Sequence, residues 1–286
     1  MTGARRCVLQ GPARISAAPR LTPFPNAAMN RLAGKRVLIT GASSGFGAAT
    51  ARRFAEQGCD LLLSARRLER VEALAAELEK AHQVEVRVDH LDVTDRDAVA
   101  AYVADLAAQR LIPDILVNNA GKARGFDKLY EGRLEHWEDM IDTNVKGLLY
   151  MTRAVVPHMV TRNSGHVINL GSIAGHWTYP KGAVYNATKA GVKAITEGLN
   201  MDLLGTKIRV SSVDPGMAET EFSDVRFDGD TGRAKDVYKG VMPLSADDVA
   251  DVILYVANVP EHVDILDVVM MPTAQRAATL VHREGA

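Results

Sequence analysis

From Lys35 onward the apolar residues fall into two kinds of run that alternate along the chain. Short, nearly continuous runs rich in Val, Ile and Leu predict buried strands. They are Arg36-Val-Leu-Ile-Thr40, Asp60-Leu-Leu-Leu-Ser-Ala65, Ile115-Leu-Val117, His166-Val-Ile-Asn-Leu170 and 207–213. Residues 84–88 alternate as a further strand, and 265–270 read as one more. Between these runs, apolar residues at three- and four-residue spacing predict helices over 48–57, 68–80, 97–109, 134–161 and 183–204. Another helix starts after Ser245, whose hydroxyl suits an N-cap. Strand and helix in strict alternation predict an α/β fold with right-handed parallel units.

Residues 1–30 do not share this pattern. They are rich in Ala, Pro and Arg, and no Asp or Glu precedes Glu56. Pro12, Pro19, Pro23 and Pro25 argue against a continuous helix. The segment is expected to be a disordered extension, or to reflect a true start at Met29. An Arg-rich, acid-free organelle leader is the competing reading.

Composition narrows the class. The chain has 286 residues, 47% hydrophobic and 24% charged, with net charge −1. No basic field is present to attract nucleic acid. No apolar run approaches the roughly 20 residues of a membrane helix. Two cysteines, Cys7 and Cys59, are too few for a disulfide framework or a Cys-built zinc site. A reducing, cytoplasmic setting and a small-molecule substrate are expected. No metal site is expected, and His166 and His176 read as structural.

The chemistry concentrates at strand ends. The first strand runs into Gly41-Ala-Ser43-Ser44-Gly45-Phe46-Gly47 and then a helix. Glycines there permit a tight turn, a close backbone approach to a pyrophosphate and close helix–sheet packing. The phosphates would meet free N–H groups at a helix N-terminus. The spacing differs from Gly-x-Gly-x-x-Gly, and a glycine turn without a ligand is the alternative. The second strand ends at Arg66-Arg67, where an acidic residue would bind a ribose hydroxyl. Two guanidinium groups suit a 2′-phosphate and hence NADP. The alternative is a pair of solvated residues opening a helix. Asp92 and Val93 follow the third strand, and Asp92 is read either as an adenine contact or as a helix cap. Asn118-Asn119-Ala120-Gly121 follow the fourth strand at the end where cofactors bind.

Ser172 ends a later strand, and Tyr185 precedes Lys189 by four positions, one helical turn. A nearby ammonium is expected to lower the phenol pKa from its usual value of about 10, so that Tyr185 can trade a proton with an alcohol or carbonyl oxygen. Tyr-x-x-x-Lys also arises on ordinary amphipathic helices, with the Tyr packed and the Lys solvated. Asn144 lies inside the long helix 134–161, where Asn is unfavourable, either facing solvent or holding an ordered water.

These motifs, with Pro215-Gly216, resemble in order and spacing the short-chain dehydrogenase/reductase superfamily over about residues 34–270. The resemblance implies a single Rossmann-type, doubly wound domain with a seven-stranded parallel sheet. It implies Tyr185 as acid/base, Lys189 as its partner and ribose ligand, Ser172 on the substrate oxygen and Asn144 on a relay water. Gly41, Ser43, Ser44, Gly45, Phe46 and Gly47 would cradle the pyrophosphate. Asp92 and Val93 would flank the adenine. Asn119, Ala120 and Gly121 would line the cleft, and Pro215, Gly216 and Thr220 would cover the nicotinamide.

A narrower resemblance, carried by 140–155, Glu221-Phe-Ser-Asp-Val-Arg-Phe227, Met270-Met-Pro272 and Val281-His-Arg283, is to NADP-dependent 3-hydroxy acid dehydrogenases, also described as serine and L-allo-threonine dehydrogenases. It implies short 3-hydroxy acids as substrates and a homotetramer. Residues 215–222 are one residue shorter than the related stretch. A small hydroxy acid needs a cation, and Arg226, in the loop 214–243, is the candidate; a surface arginine is the alternative. Trp177 and Tyr179 are expected to wall the pocket or to pack at a subunit contact. The loop itself reads as a lid and 272–286 as a tail able to dock on a neighbouring subunit. A reductase of bulkier ketones or 3-oxoacyl thioesters, and a non-enzymatic NADP sensor on the same fold, are the other readings.

Overall fold

The computed structural model describes residues 30–227 and 229–285. Apart from Asn30, the expected extension over 1–30 lies outside the described residues. Seven parallel strands form one sheet in the order β3-β2-β1-β4-β5-β6-β7. They are β1 Arg36–Thr40, β2 Asp60–Ala65, β3 Val86–His90, β4 Ile115–Asn118, β5 Gly165–Leu170, β6 Ile208–Pro215 and β7 Asp267–Met270. Helices α1 Gly45–Glu56, α2 Leu68–His82, α3 Arg96–Ala108, α4 Leu134–Ile141, α5 Leu148–Arg162 and α6 Ala183–Asp202 connect them. Two short helices, α7 Phe222–Arg226 and α8 Thr231–Asp236, precede α9 Ala246–Ala257.

Alternate residues of the central strands feed opposite layers, which is why those strands read as continuous apolar runs. Val37, Ile39, Leu61, Leu63 and Val117 pack with Phe54 of α1, Leu74 of α2 and Ile253 of α9. Leu38, Leu62, Leu116 and Val167 pack with Val103 of α3 and with Met151, Val155 and Met159 of α5. Each such large side chain contributes about 1.5–3 kcal/mol by leaving water.

Caps explain several boundaries. Ser245 and Asp248 form a reciprocal capping box at α9. Asp95, not Asp92, caps α3, accepting from the N–H groups of Asp97 and Ala98. Asp92 instead accepts from the N–H and hydroxyl of Thr94, at 3.0 and 2.8 Å. The helix α1 starts at Gly45, three residues earlier than its apolar spacing predicts, because the glycine turn runs directly into it.

The single helix expected over 134–161 is helical throughout but not uniform. A π-type turn at Asp142–Gly147 separates α4 from α5 and contains Asn144. The loop expected over 214–243 holds more structure than its composition signals: β6 runs on to Pro215, and α7 and α8 follow. The tail lies over this segment of its own chain. Gln275, 1% exposed, accepts from the Met217 N–H, and Arg283 donates to the carbonyls of Val237 and Lys239.

The order in which successive strands join the sheet reverses between β1 and β4, which remain parallel. In an open parallel sheet that reversal opens a crevice at the C-terminal strand ends.

Candidate active site

At this crevice β1 ends in the glycine turn and β4 ends in Asn119. The Thr40 hydroxyl accepts from the N–H groups of Asn119 and Ala120, at 3.1 and 3.0 Å. The Asn119 amide donates to the carbonyl oxygens of Thr40 and Gly41. The two loops are therefore stitched together. Gly41 has φ +67°, and a Cβ there would lie 3.0 Å from the Ala120 Cα. At Gly47 a Cβ would meet the Asn119 Nδ2 and the Gly41 carbonyl oxygen, each at 2.5 Å. At Gly47 no Cβ fits without displacing its neighbours, and at Gly41 the positive φ and the tight approach to Ala120 both favour glycine.

A cleft of about 1200 Å³ opens over these loops. Its lining includes Gly41, Ser43, Ser44, Gly45 and Phe46 of the glycine turn, then Arg66, Arg67, Asp92 and Val93. Asn119, Ala120 and Gly121 form its middle, and Pro215, Gly216 and Thr220 lie across from them. Ser172, Tyr185, Lys189 and Arg226 complete its other end. Of the residues singled out from the sequence for catalysis or binding, Gly47 and Asn144 lie behind this lining. The Ser44 side chain makes no capping bond to α1, and the first turn of α1 has no acidic residue. That helix end suits an anion. Arg67 reaches over it, donating to Ser44 Oγ at 2.7 Å and to Ser43 Oγ at 3.1 Å. Arg66 stands 3.7 Å from the Asp92 carboxylate.

At the other end, α6 places Tyr185 and Lys189 on one face, 9% and 7% exposed. Lys189 Nζ donates to the Leu170 carbonyl oxygen at 2.6 Å, at the end of β5. Ser172 follows that strand, accepting from the Ala174 N–H and donating to the Pro215 carbonyl at 3.4 Å. Burial drives the Tyr185 phenol above its ordinary pKa, and Tyr179 adds to this. The Ser172 hydrogen bond and the Arg226 charge oppose the rise without cancelling it. Burial also pushes Lys189 down to about 8, with the Asp214 carboxylate opposing. The expected lowering of the phenol by Lys189 therefore does not emerge. Burial is the largest influence on the phenol, and it acts upward.

Asn144 is 2% exposed, so the solvent-facing alternative is excluded. Its amide accepts from the Lys122 N–H and donates to the Lys122 carbonyl, both at 2.8 Å, and also donates to Thr188 Oγ1. Gly121 packs between the Asn144 amide oxygen and Lys189 Nζ, which lie 3.3 and 3.6 Å from where its Cβ would stand. A widened turn at this point leaves backbone groups outside the regular helical ladder.

Arg226 is not an isolated surface residue. Its guanidinium lies 4.8 Å from the Phe126 ring centroid, 5.5 Å from Tyr179 and 5.9 Å from Tyr185. Its Nε donates to the Gly125 carbonyl. Tyr179 lines the cleft, whereas Trp177 is 42% exposed and outside its lining. Phe126, Phe222, Arg70 and Glu221 join the site without having been singled out for it. Arg70 lies in the first turn of α2, three positions after its N-cap Arg67, a spacing visible in the sequence. The others sit in segments without periodicity. His176, read as structural, hydrogen-bonds Asp214, and Asp267 lies 3.8 Å away. His166 is buried against Ser211, and burial holds its pKa well below the ordinary value.

Comparison with known proteins gives the same frame. Residues 35–230 match the short chain dehydrogenase family. The chain is 46% identical over 250 residues to an NADP-dependent 3-hydroxy acid dehydrogenase of Escherichia coli K12, covering 87% of this chain and 99% of that one. It is 46% identical over 240 residues to sulfoacetaldehyde reductase 2 of Chromohalobacter salexigens, covering 84% and 94%. A closed serine dehydrogenase complexed with NADP⁺ superposes with TM-score 0.81 at 46% identity, over 87% of this chain and all of that chain. With the seven-stranded sheet, the glycine turn at its switch point and Tyr185 and Lys189 on one helical face, the chain belongs to the short-chain dehydrogenase family.

Proposed function

We propose that the protein is an NADP-dependent oxidoreductase that interconverts short 3-hydroxy acids and the matching 3-oxo compounds. The observation that carries this reading is Arg226, a cation stacked over the Tyr185 ring. A proton-handling phenol and a guanidinium within one small molecule's length select a substrate with an oxygen to be reduced and an anion close by.

The glycine turn, with a positive φ at Gly41 and no room for a Cβ at Gly47, fits a pyrophosphate, and Arg66 and Arg67 fit a 2′-phosphate. When bound, the cofactor supplies or accepts the hydride. Tyr185, neutral and buried, donates its proton to the substrate oxygen in reduction and recovers it in oxidation. Ser172 holds the same oxygen. Lys189 binds the ribose hydroxyls and keeps positive charge beside the phenol. Asn144 locks the π turn against Lys122 and so shapes the water path behind Lys189. Asp92 and Val93 flank the adenine, Asn119, Ala120 and Gly121 line the middle, and Pro215, Gly216 and Thr220 close over the reacting end. Residues 214–243, strapped by the tail, form a lid that keeps water from the reaction.

The protein is proposed to work as a cytoplasmic homotetramer. In support, Leu134, Ile141 and Leu149 are exposed along α4 and α5, and β7 is an open sheet edge. Cys59 is a buried free thiol, and no described helix is long and apolar enough to cross a membrane.

The test is nicotinamide absorbance with NADP⁺ or NAD⁺ and a panel of serine, allo-threonine, 3-hydroxypropionate and a simple secondary alcohol. A sulfonate, 2-hydroxyethanesulfonate, belongs in the panel because a guanidinium also pairs with sulfonate. Turnover of the acids with NADP⁺ is the expected result. Turnover confined to the uncharged alcohol would reject the reading and favour bulkier carbonyl substrates.

A further inference from the structure

The lid places a carboxylate on the arginines at the nucleotide end of the cleft. Glu221 Oε2 accepts from Arg67 Nη1 at 2.9 Å, and Oε1 accepts from Arg70 Nη1 at 2.7 Å. Arg67 also holds the Ser43 and Ser44 hydroxyls, so one guanidinium ties the glycine turn, α2 and the lid together. Burial opposes ionisation of Glu221, but hydrogen bonds from Arg70 and Arg67 outweigh it and keep the carboxyl below its ordinary range. A full negative charge therefore bridges two guanidiniums at neutral pH, as a phosphate monoester does when two arginines hold it. The next residue, Phe222, packs its ring edge-on against Tyr185, with centroids 5.6 Å apart. Arg226, at the end of the same short helix, stands over that ring too. Whatever holds Glu221 also holds the substrate-facing side of α7.

We propose that Glu221 is an internal stand-in for the 2′-phosphate of NADP(H): it occupies Arg67 and Arg70, and yields them when the phosphate enters. This assigns Arg70 to the phosphate site and couples cofactor choice to the position of α7. It rests on the reading of Arg67 as a 2′-phosphate contact. Two anions on the same pair of guanidiniums repel each other, so Glu221 withdraws as the phosphate arrives. A cofactor without the 2′-phosphate leaves the latch in place, and Phe222 and Arg226 with it. Glu221 thus lowers affinity for NADPH while reserving the lid movement for it.

The test is equilibrium titration of the full chain with NADPH, NADH and adenosine 2′-monophosphate. Glu221→Gln should tighten NADPH and the monophosphate about fivefold, the effect of losing two half-exposed ion pairs, and leave NADH unchanged. With Arg67→Ala and Arg70→Ala already present, Glu221→Gln should change nothing. If Glu221→Gln leaves NADPH unchanged, weakens it, or shifts NADH equally, the latch is overturned. If Arg67→Ala weakens NADPH no more than NADH, the reading of the phosphate site fails first, and the latch fails with it.

Discussion

Replacing Arg226 by methionine removes the guanidinium while keeping an apolar stem against Phe126 and Tyr179. In the structure the charged group lies within 6 Å of three ring centroids, one of them Tyr185. A charge-assisted hydrogen bond to a substrate carboxylate is worth about 1.5–3 kcal/mol. At about 1.4 kcal/mol per factor of ten, that predicts a roughly 10- to 150-fold loss in kcat/KM for 3-hydroxypropionate and serine. Arg226 is only half-buried, so water screens part of this, and the lower half of the range is expected. An anchor used equally in ground and transition states shows up mainly in KM. A secondary alcohol without a carboxylate should lose less than about threefold, from the small change that the missing charge makes at Tyr185. The assay is initial-rate NADPH formation over a range of each substrate. Equal losses for acid and alcohol would refute the anchor and leave Arg226 as a packing residue for Phe126 and Tyr185.

Tyr185→Phe should remove nearly all turnover while NADPH still binds, as read by fluorescence titration; near-normal turnover would remove the acid/base role. The pH profile follows from burial, which raises the phenol pKa and lowers Lys189 to about 8. Oxidation needs the phenolate, so its kcat should climb with pH across the neutral range. Reduction needs the phenol, so its kcat should be level below about pH 8 and fall only as Lys189 loses its charge. An oxidation rate that falls as pH rises from 6 to 8 would contradict the assignment. Gly47→Ala forces a methyl into the space of the Asn119 amide and Gly41 carbonyl. It should cost about 1–3 kcal/mol of stability and weaken NADPH, measured by thermal melting with and without cofactor.

Much of the fold was legible because burial on both faces of a parallel sheet leaves a local mark. The runs at Arg36–Thr40 and Asp60–Ala65 match β1 and β2 residue for residue, since their apolar positions alternate between the two apolar layers. The glycine turn was legible for a similar reason: where no Cβ fits, the chain must carry Gly, whatever lies around it. Tyr185 and Lys189 were legible as a pair because four positions along a helix is a fixed displacement. The state of that pair was not. Spacing brings an ammonium near a phenol, but the phenol pKa depends on how much protein covers it, and neighbours distant in sequence such as Phe222 of α7 contribute to that cover.

Local rules along the chain set the alternation of strands and helices, the glycine path after β1, the basic residues after β2 and the turn that joins Tyr185 to Lys189. These rest on steric and periodic rules that act within a few residues. Long-range packing alone shows that Asn144, inside a π turn, bonds the Lys122 backbone, that Arg226 lies within 6 Å of three aromatic ring centroids, and that Glu221, just before α7, reaches Arg67 and Arg70. Those contacts join residues as far as 154 positions apart. They follow from loop paths that neither propensity nor hydrophobic period encodes, because exposed, aperiodic segments take their course from what they pack against.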